Sequence, residues 1–204
     1  MARYSPDHKE ATRRRMIETA GRRFKSDGLD GSGIATLVAD AGLTNGAFYA
    51  HFASKEDLVA NVLADQLRTQ RHSFDAQPAD RAGLEAIIRA YLSPQHRDQY
   101  ADGCPSAALL DEIARSGEDV REAYTEGARS MIEAIARHLG DSDTEAATQR
   151  AIGLFTLLVA SLQLARAITD PHLSDHVLAA AYANAVTIAT APLHPAPPTG
   201  QESS

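Results

Sequence analysis

Apolar residues recur at helical spacing along most of the chain, and no segment shows the strict alternation of a β-strand. The first stripe precedes a glycine at position 28 and consists of Ile17, Ala20, Gly21 and Phe24. Similar patterns predict helices over residues 34–41, 45–51, 55–76, 82–92, 106–115, 120–139, 145–168 and 174–190. The pattern therefore predicts an all-α fold.

Turn and capping residues separate these segments. Ser5-Pro6 is typical of a helix start, and Ser54–Asp57 and Ser142–Glu145 are typical of capping boxes. Gly42 breaks the second pattern, and Thr44 is a suitable N-cap for the third. The last residues, 192–204, are rich in proline and serine, and we expect them to be disordered.

Two short amphipathic segments joined by a glycine turn, after a longer basic segment, indicate a helix-turn-helix. In that arrangement the second short helix enters the DNA major groove, and its first residues face the base edges. Those residues are Thr44, Asn45 and Gly46. We expect Phe48 and Phe52 to turn inward onto Ile17, Phe24, Ile34 and Leu37, which leaves the phosphate-contacting role to Tyr49, His51 and Lys55.

The charge distribution supports this interpretation, although the total does not. The 204 residues carry a net charge of −7, which by itself argues against a nucleic-acid partner. Residues 1–55, however, hold nine Lys/Arg against six Asp/Glu, a balance of +3, whereas residues 56–204 have a balance of −10. The alternative explanation of the basic segment is a solvated helix face.

The remaining composition predicts a soluble cytoplasmic protein. Cys104 is the single cysteine, which excludes an intramolecular disulfide and a cysteine-based zinc site. The first residues lack a secretory apolar region. The longest charge-free apolar stretch, 151–165, is shorter than the ~18 residues of a membrane span and is bounded by Arg150 and Arg166.

Residues 42–58, Gly-Leu-Thr-Asn-Gly-Ala-Phe-Tyr-Ala-His-Phe-Ala-Ser-Lys-Glu-Asp-Leu, closely resemble the signature of the tetracycline-repressor (TetR) family. The basic segment and residues 34–42 resemble that family too, whereas residues after about 60 resemble it only in helical layout and length. The resemblance implies that Thr36, Thr44, Asn45, Gly46, Tyr49, His51 and Lys55 occupy DNA-contact positions. It also implies a DNA-binding domain over 1–53 and a helical effector-binding and dimerisation domain over 54–191.

The resemblance further implies a homodimeric repressor that binds a palindromic operator in double-stranded DNA. Two recognition helices about 34–36 Å apart would read the two half-sites. The helix from 151 to 168 is apolar nearly all round, which predicts burial in the core and against a partner, although a monomer's central helix is the alternative. The expected interface residues are Leu154, Leu158, Leu162, Ala165, Ala181 and Ala185.

The middle helices contain the candidate effector-pocket residues. These are Phe74, Tyr91, Tyr100, Cys104, Leu110, Tyr124, Met131 and Phe155, each of which could equally be a core residue. Pro105 suits the first position of a helix, which puts Cys104 at or near the N-cap, where the helix dipole favours a thiolate. The effector could therefore be a small molecule or an electrophile that modifies Cys104, with an inert buried thiol as the alternative.

No catalytic, metal or cofactor motif is present in the sequence. His172 and His176 are four residues apart, but Pro171 and Ser174 favour a loop and helix cap over a metal site. We therefore expect a DNA-binding regulator without enzymatic activity, metal or cofactor. The competing hypothesis is an all-α small-molecule-binding protein or enzyme with an incidental basic helix.

Overall fold

The computed structural model describes residues 6–140 and 145–191. Within these residues every regular element is helical, which confirms the predicted all-α fold. The helices are α1 (Pro6–Asp27), α2 (Ile34–Asp40), α3 (Asn45–Tyr49), α4 (Lys55–Asp75), α5 (Arg81–Tyr91), α6 (Pro94–Asp98), α7 (Pro105–Arg115), α8 (Glu118–His138), α9 (Glu145–Ala167) and α10 (Pro171–Thr190), with a 3₁₀ turn at Tyr100–Asp102 between α6 and α7.

Side chains cap the starts of five helices, α3, α4, α5, α6 and α10. Thr44 accepts a hydrogen bond from the Ala47 N–H and Ser54 accepts one from the Asp57 N–H, as the sequence predicts. The Asp57 carboxylate in turn accepts the Ala53 N–H, which completes a reciprocal cap at the start of α4. The expected features at Ser5, Ser142 and residues 192–204 lie outside the described residues.

Two features differ from the prediction by more than two residues. Ser93 caps an additional short helix, α6, in a region where the sequence predicts only a break. Helix α10 begins at Pro171 and not near Ser174, because the Asp170 carboxylate accepts the first free N–H groups of that helix. His172 and His176 therefore both lie within α10.

The N-terminal core is built by α1 to α4 and continues into the body of the molecule. Phe24, Phe48 and Leu58 are fully buried there, and Phe52 is 2% exposed. Leu109 of α7 and Val120 of α8 complete the same cluster. Helices α1 and α4, which flank the helix-turn-helix, therefore pack on the body through α7 and α8. The division of the chain at residue 53 stays a prediction.

The second core occupies the body, where α4 packs on α8, and α9 packs against α8 and α10. By length and composition alone α9 could span a membrane. Its buried side chains, including Phe155 and Val159, belong to this core, as expected of a central helix in a folded domain.

The expected dimer-interface residues require a correction. Their exposed fractions are all between 0% and 4%, because they face the chain's own core and not its surface; the six are Leu154, Leu158, Leu162, Ala165, Ala181 and Ala185. The residues chosen from the sequence form the inward face of α9 and α10, and pairing through these two helices stays a prediction. A nearly all-round apolar helix does not reveal which of its faces meets its own subunit.

Candidate nucleic-acid interface and central cavity

The helix-turn-helix is rigidly anchored by aromatic side chains. Phe48 and Phe52 turn inward, as expected, with ring centroids 5.7 Å apart. Gly42 ends α2 in the left-handed region at a φ of +63°, a conformation that favours glycine, and the chain then reverses into α3. The Arg13 guanidinium lies 5.4 Å from the Phe52 ring centroid and donates to the Asn61 side chain, which ties α1 to α4.

The first residues of α3 form an exposed surface. Thr36 of α2 and Thr44, Asn45 and Gly46 at the start of α3 are all exposed, and Tyr49 is 62% exposed. Because Phe48 is buried, α3 is held against the core while these residues face solvent. The arrangement can present base-reading and phosphate-contacting groups together.

His51 is half-buried beside this surface. Burial lowers the pKa of its imidazole below the usual value, and the nearby positive charges of Lys9 and Arg13 lower it further. The ring is therefore a neutral hydrogen-bonding group at physiological pH, next to cations on α1 that attract phosphate.

Lys55 is placed differently from the expectation of a free phosphate contact. Its ammonium group donates to the backbone carbonyl of Leu29, in the turn between α1 and α2. Lys55 therefore holds that turn against the start of α4. A phosphate that contacts Lys55 must share the ammonium group with the Leu29 carbonyl.

The other polar group of Leu29 is held by a helix of the body. The Leu29 N–H donates to the Glu112 carboxylate of α7 at 2.7 Å. Gly28, at a φ of +80°, ends α1 at this point, and a Cβ there would lie 3.1 Å from both Glu112 carboxylate oxygens. The sequence analysis does not identify Glu112, because its partner lies 83 residues away and no local pattern links the two.

A cavity of about 760 Å³ lies between α1, α4, α5 and the loop that leads to α7. Of the eight expected pocket residues, Phe74, Tyr91 and Cys104 line it. The sequence analysis misses the residues that α1 contributes, which are Ile17, Glu18, Arg22 and Lys25. The cavity is therefore bounded on one side by the helix that supports the helix-turn-helix.

The other five expected pocket residues lie elsewhere. Met131 and Phe155 are buried, and Leu110 and Tyr124 partly buried, in packed regions around the cores. The Tyr124 hydroxyl donates to the Ser106 hydroxyl. Tyr100 is 40% exposed and packs on the Arg166 guanidinium, which lies 4.4 Å from its ring centroid.

Cys104 is the N-cap of α7, as predicted from Pro105, and is 2% exposed. Its backbone N–H donates to Nε2 of His96 at 3.0 Å, while Nδ1 of His96 lies 2.8 Å from the Tyr91 carbonyl oxygen. These contacts fit a neutral imidazole with its proton on Nδ1. Burial lowers the pKa of His96, which also favours the neutral form.

Lys25 links α1 to the loop before Cys104. Its ammonium group donates to the Gly103 carbonyl at 2.9 Å, and the neighbouring Arg22 pairs with Asp102. Burial lowers the pKa of Lys25 from 10.5 to about 8. This loop therefore contacts α1, the cavity and the thiol.

The described residues contain no group of three or more His, Cys, Asp or Glu side chains that could hold a metal ion. His172 and His176 are both exposed in the first turns of α10. Because both histidines lie within α10, the sequence-based expectation of a loop and helix cap between them is wrong. Two imidazoles alone nevertheless supply too few ligands for a structural metal site.

Comparisons with known proteins agree with this architecture. Residues 16–62 match the family described as bacterial regulatory proteins, tetR family. The chain is similar to the HTH-type transcriptional regulator SrpR of Pseudomonas putida, with 30% identity over 99 residues that cover 48% of this chain and 46% of SrpR. It thus spans about half the length of that relative.

Two further comparisons involve the HTH-type transcriptional repressor NemR of Escherichia coli. The NemR of strain K12 is 27% identical over 135 residues, which cover 63% of this chain and 67% of NemR. A crystal structure of reduced E. coli NemR has a TM-score of 0.74 at 22% identity and covers 86% of this chain and 95% of its own, which shows the shared fold. The family match assigns residues 16–62, which hold the helix-turn-helix, to the tetR family of bacterial regulatory proteins, and the helical body shares the fold of the reduced NemR structure.

Proposed function

We propose that the chain is a dimeric repressor that binds a palindromic DNA operator and is released from it by an effector. The observation that carries this proposal is the exposed start of α3, where Thr44, Asn45 and Gly46 stand on a frame anchored by Phe48. Neighbouring cations on α1 supply the attraction to phosphate. We expect such a protein to act in the cytoplasm, where it meets DNA.

Two exposed, uncharged stripes support pairing with a second copy. Ile152, Thr156, Ala160 and Leu164 follow one another at four-residue spacing on α9, and all four are exposed. His176, Ala180, Ala183 and Thr187 form a similar stripe on α10. Small side chains allow two copies of these helices to approach closely, and a two-fold axis would present two α3 helices to one palindrome.

The cavity supports release by a ligand. Because α1 lines it, a ligand that prefers one position of α1 relative to α4 also selects the orientation of the attached helix-turn-helix. A coupling free energy of about 1–3 kcal/mol lowers operator affinity 5- to 150-fold.

Binding to the DNA upstream of the chain's own gene tests the regulator most simply. In a gel-shift titration we expect the full chain to shift an upstream fragment but not an unrelated fragment of equal length, with affinity falling steeply as salt rises. Asn45→Ala should reduce the preference between the fragments, whereas Tyr49→Phe should weaken binding to both. Equal, weak shifts of both fragments by the unaltered protein would favour the competing hypothesis of an incidental basic helix.

Modification of Cys104 is the second route to release that we propose. Cys104 is one of the residues that line the cavity, and its side chain is buried at 2% exposure, so the proposal requires that an electrophile bound in the cavity gains access to the thiol. The solved E. coli NemR structure is described as a reduced form, which fits redox chemistry in that relative. After treatment with N-ethylmaleimide, intact-mass spectrometry should show one adduct together with loss of the DNA complex. Cys104→Ser should keep its complex; release of the Cys104→Ser complex would exclude the thiol as the sensor.

A further inference from the structure

Two buried polar atoms on the cavity wall lack a hydrogen-bond partner among the described residues. They are Oε1 of Gln66 and Oε1 of Gln70. Tyr91 is only 3% exposed, and its hydroxyl lies beside the Cys104 thiol. A buried polar atom without a partner destabilises the folded protein, so two such atoms on one wall indicate a site that a ligand completes.

The two glutamines lie one helical turn apart on α4 and face the same cavity. The Gln66 side chain can lie against α1 because position 21 is a glycine, where a Cβ would stand 2.0 Å from Nε2 of Gln66. With the amide nitrogen of Gln66 turned toward α1, its oxygen is the group left to accept a hydrogen bond. The wall therefore offers two acceptors at adjacent turns.

Apolar side chains form much of the remaining wall, beside the polar side chains of Thr69, Ser73, Gln77 and His96. Phe74, Ile87 and the ring of Tyr91 are buried around the cavity, and Ala86 and Ala90 add small side chains from α5. A volume of about 760 Å³ lies within the range of pockets for drug-sized ligands. The site thus favours a ligand with a hydrophobic body and a polar edge.

The charged groups on the wall already have partners. Arg22 pairs with Asp102, Asp65 with Arg68, and Glu18 with Arg14. Lys25 donates to the Gly103 carbonyl. The carboxylates and Arg22 are thus compensated by these pairs, and an uncharged ligand leaves all of these contacts in place.

We infer that the cavity binds an uncharged, hydrophobic organic ligand whose O–H or N–H groups donate to the side-chain carbonyls of Gln66 and Gln70. This ligand contacts Ile17 of α1 while its polar edge lies on α4, so it joins the helix that carries the helix-turn-helix to the body. Its role as an effector rests on the proposed function, but its chemical class does not. Burial keeps the pKa of the Tyr91 hydroxyl above its usual value, so this group stays neutral and can exchange a hydrogen bond with the same ligand.

A matched pair of probes tests this ligand class on the full chain without DNA. The probes are 2,7-dihydroxynaphthalene, which has two O–H donors, and 2,7-dimethoxynaphthalene, in which both donors are blocked. By naphthalene fluorescence we expect the diol to bind one site per chain and the diether to bind at least about tenfold more weakly. Equal affinity for both probes, or no binding of the diol, would overturn the inference.

Substitutions locate the site. Gln66→Met and Gln70→Met keep the side-chain length but remove the acceptor, and each should weaken diol binding about tenfold without changing diether binding. The matched control is Gln149→Met, an exposed glutamine of α9 outside the cavity, which should leave both affinities unchanged. Unchanged diol binding in both cavity variants would place the probe elsewhere and reject the assignment.

The failure of this inference is distinguishable from the failure of the proposed function. If the protein shifts its upstream DNA but does not bind the diol, the ligand class is wrong and the regulator stands. If the diol binds through Gln66 and Gln70 but the protein binds no DNA, the ligand class stands and the regulator is wrong.

Discussion

Lys25 combines a buried ammonium group with a structural contact between two parts of the chain. It is 7% exposed and its partner is the neutral Gly103 carbonyl, so burial of its charge is only partly compensated. This explains why its pKa falls to about 8. The folded state therefore holds this proton less tightly than the unfolded chain does.

This difference predicts a pH dependence of stability. Between about pH 8 and pH 10.5 the unfolded chain binds more protons at Lys25 than the folded chain, so the unfolding free energy rises with pH in that window. Relative to Lys25→Met, the unaltered protein should gain about 2 kcal/mol between pH 8 and pH 10. Urea unfolding with a thiol reductant at each pH measures the difference.

Lys9→Met is the control, because Lys9 is exposed on the same helix. We expect its unfolding free energy to follow that of the unaltered protein at every pH. A constant difference between the unaltered protein and Lys25→Met would show that the Lys25 pKa is not lowered by folding.

At the residue scale, the sequence predicts the structural features that depend on residues close together in the chain. The caps at Thr44 and Ser54 and the inward turn of Phe48 and Phe52 follow from local spacing and are confirmed. The hydrogen bond from the Lys55 ammonium group to the Leu29 carbonyl cannot be predicted in this way, because it joins residues 26 positions apart. Local patterns predict helix ends and faces but contain no information about such distant partners.

At the element scale, α7 connects the cavity to the helix-turn-helix. Its N-cap, Cys104, lies beside the cavity. Further along α7, the Glu112 carboxylate accepts a hydrogen bond from the Leu29 N–H in the α1–α2 turn. Lys55 of α4 holds the carbonyl of the same residue. Because both backbone groups of Leu29 are fixed by other helices, a movement of α7 or α4 is passed to this turn.

Removal of the Glu112 carboxylate tests this connection. Glu112→Ala leaves the Leu29 N–H without its partner and should lower the unfolding free energy by about 1–3 kcal/mol. Amide hydrogen exchange at Leu29 should accelerate in the same variant. Glu112→Gln retains an acceptor oxygen and should recover part of both losses.

The control for this substitution is Asp111→Ala, since Asp111 is exposed and its one ion pair among the described residues is with the exposed Arg115 of the same helix. It should leave the exchange rate at Leu29 unchanged. Equal rates at Leu29 in Glu112→Ala and the unaltered protein would contradict a supporting role for Glu112.

The helix that the sequence analysis overlooks, α6, has a local physical reason. Ser93-Pro94 is the same cap and first-turn pair that predicts the start of α1, but α6 is only five residues long and has no buried side chain. It therefore has no apolar periodicity to reveal it. Arg166 of α9 donates to the carbonyls of His96 and Arg97, so distant contacts stabilise this helix.

At the scale of the whole molecule, the exposed stripe on α9 predicts the dimer. Leu164 is 53% exposed and Ile152 is 46% exposed on the same face, and burial of such side chains favours association. A carboxylate placed there would be buried in the interface without a partner. We expect Leu164→Glu to convert the dimer to a folded monomer in sedimentation equilibrium.

Thr125→Glu provides the matched control, because it adds the same charge at an exposed position of α8. It should remain dimeric. A Leu164→Glu protein with the mass of a dimer would show that copies pair through another surface.

The sequence predicts pairing through the last two helices but not the face that pairs. Composition shows that α9 is apolar on most sides, yet only the packing of α8 and α10 decides which side is left exposed. The same holds for the cavity: the aromatic residues of the middle helices are visible in the sequence, whereas the wall supplied by α1 exists only after folding.

Selection of bound sequences from a random pool of double-stranded DNA tests for a dimeric sequence-specific repressor, because it requires specificity and two-fold symmetry together. We expect the full chain to enrich an inverted repeat whose half-site centres lie about 10–10.5 base pairs, or a multiple of this, apart. Asn45→Ala should change or broaden the enriched half-site. Recovery of no common sequence by the unaltered protein, or of a single half-site without its inverted copy, would contradict a dimeric sequence-specific repressor.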